Sequence, residues 1–149
     1  MARFALIIGQ QNAYLYLLGA KAATLQQAVP LADASPRDWL AQEVPKGAHC
    51  TVLTDFLDEA YTLSALPPIW LPSARAQLLT RRLNNQYRGA TLRAAIVPRG
   101  QGFKPPVMAS LFNLGQVEVV NLWVNALEQL EARVDGVFTF ASLVACAFA

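Results

Sequence analysis

The chain has 149 residues, of which 54% are hydrophobic and 15% charged, with a formal net charge of +2. That length suits one domain, or two small subdomains sharing a core, and so apolar a composition excludes a disordered chain, a collagen and a polybasic tail. The net charge conceals three blocks: residues 1–59 carry 4 Lys/Arg against 6 Asp/Glu, residues 60–117 carry 7 Lys/Arg and no acid, and residues 118–149 carry 1 Arg against 4 acids.

The opening, Met1-Ala-Arg-Phe-Ala-Leu-Ile-Ile-Gly9, has too short an apolar run and no cleavage site for a signal peptide. It reads as a first strand over 3–9. Gly9-Gln-Gln-Asn12 is a turn, 13–18 a second strand, and 24–31 a third. Short turns between consecutive strands imply an antiparallel meander. Ser35-Pro36 starts a helix, with Ser as N-cap and Pro at N1, expected to run to about Glu43. A fourth strand covers 49–54 and a fifth 60–66, with Asp55 to Glu59 as the turn between them. Ser73 is expected to cap a helix reaching about Tyr87. On it Ala76, Leu79, Leu83 and Tyr87 share one face, Arg81 and Arg88 lie opposite, and Arg75 and Arg82 flank the apolar stripe, where their stems can snorkel.

Residues 91–97 form a strand, Pro98 to Pro106 a loop, and 107–114 its hairpin partner. The clearest helix runs from about Val117 to Arg133, with Val119, Val120, Trp123, Leu127, Leu130 and Val134 on one face. Asp135-Gly136 ends it, and 137–141 is a last strand. The uncharged close, Gly136 to Ala149, is too short to span a bilayer. A chain that stops on such a segment is expected to be a fragment or a naturally short protein. Mixed helices and strands, with meanders as well as crossovers, predict an α+β layered domain, one lobe over 1–149 with a smaller basic subdomain at about 60–115.

Few constellations carry chemistry. Cys50 and Cys146 form no CxxC or metal spacing, and two buried reduced thiols are expected rather than a disulfide. His49 is the only histidine, which excludes Ser-His-Asp triads and His-based zinc sites. His49 and Cys50 are neighbours on a strand, so they point to opposite faces and form no dyad. Asp55, Asp58 and Glu59 offer oxygen ligands for Mg²⁺, but solvated acids at a hairpin tip are the plainer reading. The first strand lacks the acid that a two-metal nuclease places there. Arg99-Gly-Gln-Gly-Phe-Lys104 lies between strands rather than before a helix, so it is not a phosphate loop. The basic block (Arg75, Arg81, Arg82, Arg88, Arg93, Arg99, Lys104) fits a solvated surface, phosphates or an acidic protein segment. Aromatics are not interleaved with it as in nucleic-acid readers, so a protein partner is favoured over nucleic acid.

The element order, with Tyr61-Thr-Leu-Ser-Ala-Leu-Pro-Pro68 before a helix, Val107-Met-Ala-Ser-Leu-Phe-Asn-Leu114 before the next, and Val124 to Phe138 leading to an apolar helix at Phe140, resembles the first lobe of the actin-like cytoplasmic components of type IV pilus and type II secretion assembly platforms (PilM- and GspL-like families). The resemblance implies an actin-like, RNase H-like lobe with a small inserted subdomain. It implies a cytosolic scaffold at the inner-membrane face that binds a cytoplasmic tail of a membrane protein, and it is compatible with homo-oligomer formation. The expected groove lies between main sheet and small subdomain, walled by the helix with Arg75 and Arg82. Some family members bind ATP between two lobes; the corresponding turn here, Gly9, Gln10, Gln11 and Asn12, is degenerate. No cofactor is therefore expected. A truncated actin- or sugar-kinase-like nucleotide-binding protein is the alternative, and a nucleic-acid module a weaker one.

Overall fold

The computed structural model describes the backbone of residues 2–68, 71–97 and 107–147, and side chains as far as Leu143. The expected loop at Pro98–Pro106, with Arg99 and Lys104, and the Cys146 side chain lie outside the described residues. Two compact units are present: Met1–Leu57 with Gln116–Phe140, and Asp58–Gly115 with the helix from Ala141 on.

In the first unit, β1 (Arg3–Gly9), β2 (Asn12–Leu18) and β3 (Ala23–Pro30) form the expected antiparallel meander. β4 (His49–Asp55) lies parallel to β1, and β8 (Arg133–Thr139) parallel to β4. The order is β3-β2-β1-β4-β8. The register aligns Leu6 with Leu15 on one side and Val52 on the other. This places Phe4, Leu6, Ile8, Leu15, Cys50 and Val52 on a single buried face, because side chains alternate with period two. α1 (Pro36–Leu40) and α3 (Val117–Gln129) supply further core side chains. Leu40, Trp123 and Leu127 are buried, and the Trp39 and Trp123 rings meet edge to face at 5.3 Å, a geometry the ring quadrupoles favour.

α1 is shorter than expected. Ser35 holds the N-cap position, but its hydroxyl donates to the Asp38 carboxylate at 2.8 Å rather than capping a backbone N–H. After Leu40 the backbone tightens into turns, Gln42 N–H to Trp39 and Glu43 N–H to Leu40. α3 also ends early, at Gln129, and Val134 belongs to β8 rather than to the helix. Glu131 takes a left-handed φ of 57°. The Ala132 N–H reaches the Leu127 carbonyl and the Glu131 N–H that of Glu128. This is a Schellman ending, a place usually held by glycine. With Glu there instead, the stop carries no sequence flag.

In the second unit, β5 (Ala60–Leu66), α2 (Pro72–Gln86), β6 (Leu92–Ile96) and β7 (Val107–Leu114) form a three-stranded antiparallel sheet, ordered β5-β7-β6, with one helix. β4 and β5 sit in different sheets. The acids at 55–59 therefore mark a connection between units, not the expected hairpin tip. α2 begins with Pro72 in its first turn and Leu71 at the N-cap, so Ser73 is inside the helix and caps nothing. Leu78, Leu79 and Leu83 pack on a core of Leu66, Tyr87, Val107, Ala109 and Leu111. Ala76, expected on that face, is exposed. α4 (Phe140–Ala147) follows β8.

Candidate functional site

The basic side chains of the second unit fall into two groups. Arg82 and Arg93 are bound inward. The Arg82 guanidinium donates to the Ser64 hydroxyl and, at 2.6 Å, to the Ala65 carbonyl of β5. Arg93 donates to the Tyr87 carbonyl at 3.1 Å, so a cation sits at the C-terminal end of α2, where the helix dipole favours it. Tyr87 is buried, and its hydroxyl donates to the Leu111 carbonyl at 3.0 Å. Gly89, with φ 83°, then turns the chain toward β6. Its added Cβ would meet nothing within 4 Å, so the requirement is conformational rather than steric.

Arg81 and Arg88 are exposed, and among the described residues neither has a hydrogen-bond or ion-pair partner. Arg88 lies in the turn after α2 rather than on it. Arg75 is half-buried and engaged within the protein. Of the four arginines singled out in the sequence, two therefore present free guanidinium groups, and Arg82 holds the edge of its own sheet. That role has no periodic signature, because it depends on a side chain reaching past its neighbouring strand.

The turn at Gly9–Asn12 connects β1 and β2 as expected. Gly9 is not among the glycines with positive φ, and a Cβ on it would meet only ordinary contacts, 3.5 Å from the Asn12 carbonyl oxygen. The Gln10 side-chain carbonyl accepts the Leu57 N–H at 3.3 Å, and the Gln11 carbonyl accepts the Leu31 N–H at 2.7 Å. These groups tie the turn to its own unit.

Among the described residues no three His, Cys, Asp or Glu side chains gather as a metal site. The Asp58 carboxylate lies so close to Gly115 that a Cβ there would clash with it, and Asn113 bridges the Asp58 carbonyl and the Ala60 N–H. His49 and Cys50 do diverge. The His49 Nδ1 pairs with Asp135 at 2.8 Å, a contact 86 residues apart that sequence reading missed because only the β4–β8 register creates it. Cys50 is a free, fully buried thiol. Burial pushes it up from 9.0 to about 12, helped by the Asp135 charge and opposed by a backbone hydrogen bond from Leu6. It is a core side chain and not a nucleophile, since reactivity needs the thiolate.

No protein-family model matches the chain, and no curated protein matches it significantly. Among solved structures it is similar to the cytoplasmic domain of EpsL, an inner membrane component of the type II secretion system of Vibrio cholerae, with a TM-score of 0.57 and 11% identity. The match covers 93% of this chain and 57% of that one. A Bacteroides thetaiotaomicron protein with an actin-like ATPase fold and unknown function is similar at a TM-score of 0.47 and 11% identity, covering 99% of this chain and 55% of that one. The chain thus spans just over half the length of either. The fold is the mixed α+β lobe expected from the sequence, a three-strand meander joined to parallel β4 and β8, and it is shared with the EpsL cytoplasmic domain. No helix among the described residues is long and apolar enough to cross a membrane.

Proposed function

We propose that the chain is a non-catalytic scaffold or adaptor lobe, cytosolic and peripheral to the inner membrane, that binds a protein segment in a bacterial secretion or pilus assembly platform. One observation carries the reading: over 93% of its length the chain shares the fold of the EpsL cytoplasmic domain. Folds host many functions, so the surface must supply the rest of the support. An acid-free stretch from 60 to 117 that leaves Arg81 and Arg88 exposed favours an acidic protein segment, for which such charges provide steering and register.

The test is capture of this chain by cytoplasmic segments of type II secretion and type IV pilus inner-membrane proteins. Arg81→Glu with Arg88→Glu is expected to weaken capture about tenfold, the equivalent of one or two charge pairs. Unchanged capture rejects the surface, and failure of every segment rejects the role. Saturating ATP·Mg²⁺ is expected to leave the melting temperature unchanged. A ligand at a hundred times its Kd would add about 2.7 kcal/mol, a visible shift that would favour the nucleotide-binding reading instead.

A further inference from the structure

We propose that the outer edge of β5 receives an extended segment of a partner protein by β-strand addition, and that this segment alternates acidic with apolar side chains. The inference rests on the partner-binding reading above and names the mode of binding.

β5 is an edge strand, paired with β7 on one side only among the described residues. The Arg82 bond tells which of its backbone groups face outward. The Ala65 carbonyl accepts a guanidinium from α2, so it points away from β7. Backbone direction alternates along a strand. The N–H and C=O of Leu63 and Tyr61 therefore also point outward, while those of Thr62 and Ser64 engage β7.

Side chains alternate in the same rhythm. Thr62 and Ser64 face α2, where Gln86 and Tyr87 approach Thr62 and Arg82 approaches Ser64. Tyr61 and Leu63 stand on the opposite face, 58% and 59% exposed. Tyr61 is stacked on Phe112 at 6.4 Å, which fixes it as a platform. Exposed edges are ordinarily blunted by charge, proline or a bulge. Among the described residues only the Ala65 end is covered, by Arg82, and the backbone of Tyr61 and Leu63 has no outward partner.

A strand laid beside β5 meets two different surfaces. Side chains on one face reach Leu63 and Tyr61, which suit apolar partners. Those on the other reach Arg82, whose Nη1 is bound to Ser64 and Ala65 and whose guanidinium has further N–H donors, which suits Asp or Glu. Main-chain bonds provide the affinity and the alternating side chains the choice of partner, as strand addition generally works.

The test uses the 149-residue chain and synthetic peptides: one alternating Glu and Val, its Lys-for-Glu counterpart, and the Glu–Val peptide N-methylated on alternate amides in each of the two phases. The Glu–Val peptide is expected to bind and to slow amide exchange at Tyr61 and Leu63 at least tenfold. The Lys peptide is expected not to bind, one N-methylated phase to lose binding, and Arg82→Gln to lower affinity about tenfold. Equal binding of both N-methylated phases overturns the edge as the seat while leaving partner binding intact. Equal binding of the Lys peptide, unchanged exchange at Tyr61 and Leu63, or no binding by any peptide also overturns the proposal. In that last case capture by the inner-membrane segments judges the functional reading separately.

Discussion

Arg82 and Ala65, 17 residues apart, are joined by a 2.6 Å bond from the α2 guanidinium to the outward carbonyl of β5. The same guanidinium also holds the Ser64 hydroxyl. One side chain thus fastens α2 to β5, the strand that precedes it, and covers the Ala65 end of that strand's outer edge. Arg82→Ala is expected to lower stability by about 1–2 kcal/mol, the usual worth of a charge-assisted bond with its packing stem. Urea unfolding checks it: the midpoint should fall with the slope unchanged. One nitrogen, Nη1, makes both bonds, so Arg82→Lys should recover part of the loss and fall short only where its different length and lack of a planar group misplace the ammonium.

Cys50 gives a pH dependence with a definite sign. In the unfolded chain the thiol ionises at its ordinary 9.0, whereas in the fold burial holds it to about 12. Below pH 9 both states keep the proton and the group has no effect. Above it the unfolded chain loses the proton first, so stability falls by roughly 1.4 kcal/mol per pH unit until the folded thiol titrates. Urea unfolding at pH 8 and pH 10 should show this loss in the native sequence. Cys50→Ala should be less stable at pH 8 because of the cavity, yet lose about 1.4 kcal/mol less over the same interval. Equal slopes in the two would remove the assignment.

Glu131 holds a left-handed φ of 57° at the end of α3, a conformation that suits glycine better than any residue with a Cβ. Glu131→Gly is expected to stabilise the protein by about 0.5–1 kcal/mol. This is the left-handed strain relieved, less the added freedom of glycine in the unfolded chain. The ion pair with Lys46 that it removes is exposed on both sides and adds little. Thermal unfolding checks the sign: a lower melting temperature would mean that the Glu131 side chain matters more than its backbone.

That same residue marks a boundary with no sequence signal. β1 is legible as a short apolar run, β4 by its β-branched residues, β5 by its alternation, and β7 as the hairpin partner of 91–97. The end of α3 is not, because helical periodicity runs on through Leu130 and Val134 while the actual stop rests on backbone conformation at Glu131. Ser73 has the chemistry of an N-cap, but α2 starts at Pro72 with Leu71 at the N-cap. The separation of β4 from β5 was invisible too, since a five-residue link looks like a hairpin until strand partners are known.

The candidate site was legible as chemistry and not as geometry. The acid-free block is plain in the sequence, and so is the exposure of Arg81. That Arg82 turns inward while Arg88 leaves the helix depends on the neighbouring strand and on Gly89. The His49–Asp135 pair depends on the register of parallel strands 86 residues apart.

The most direct measurement is the affinity of the 149-residue chain for cytoplasmic segments of type II secretion and type IV pilus inner-membrane proteins, taken by fluorescence anisotropy at low and at physiological salt. At least one acidic segment is expected to bind, more weakly at higher salt as exposed charges are screened, and about tenfold more weakly to Arg81→Glu with Arg88→Glu. Binding that ignores both the salt and the charge reversal, or no binding by any segment, would contradict the proposed role.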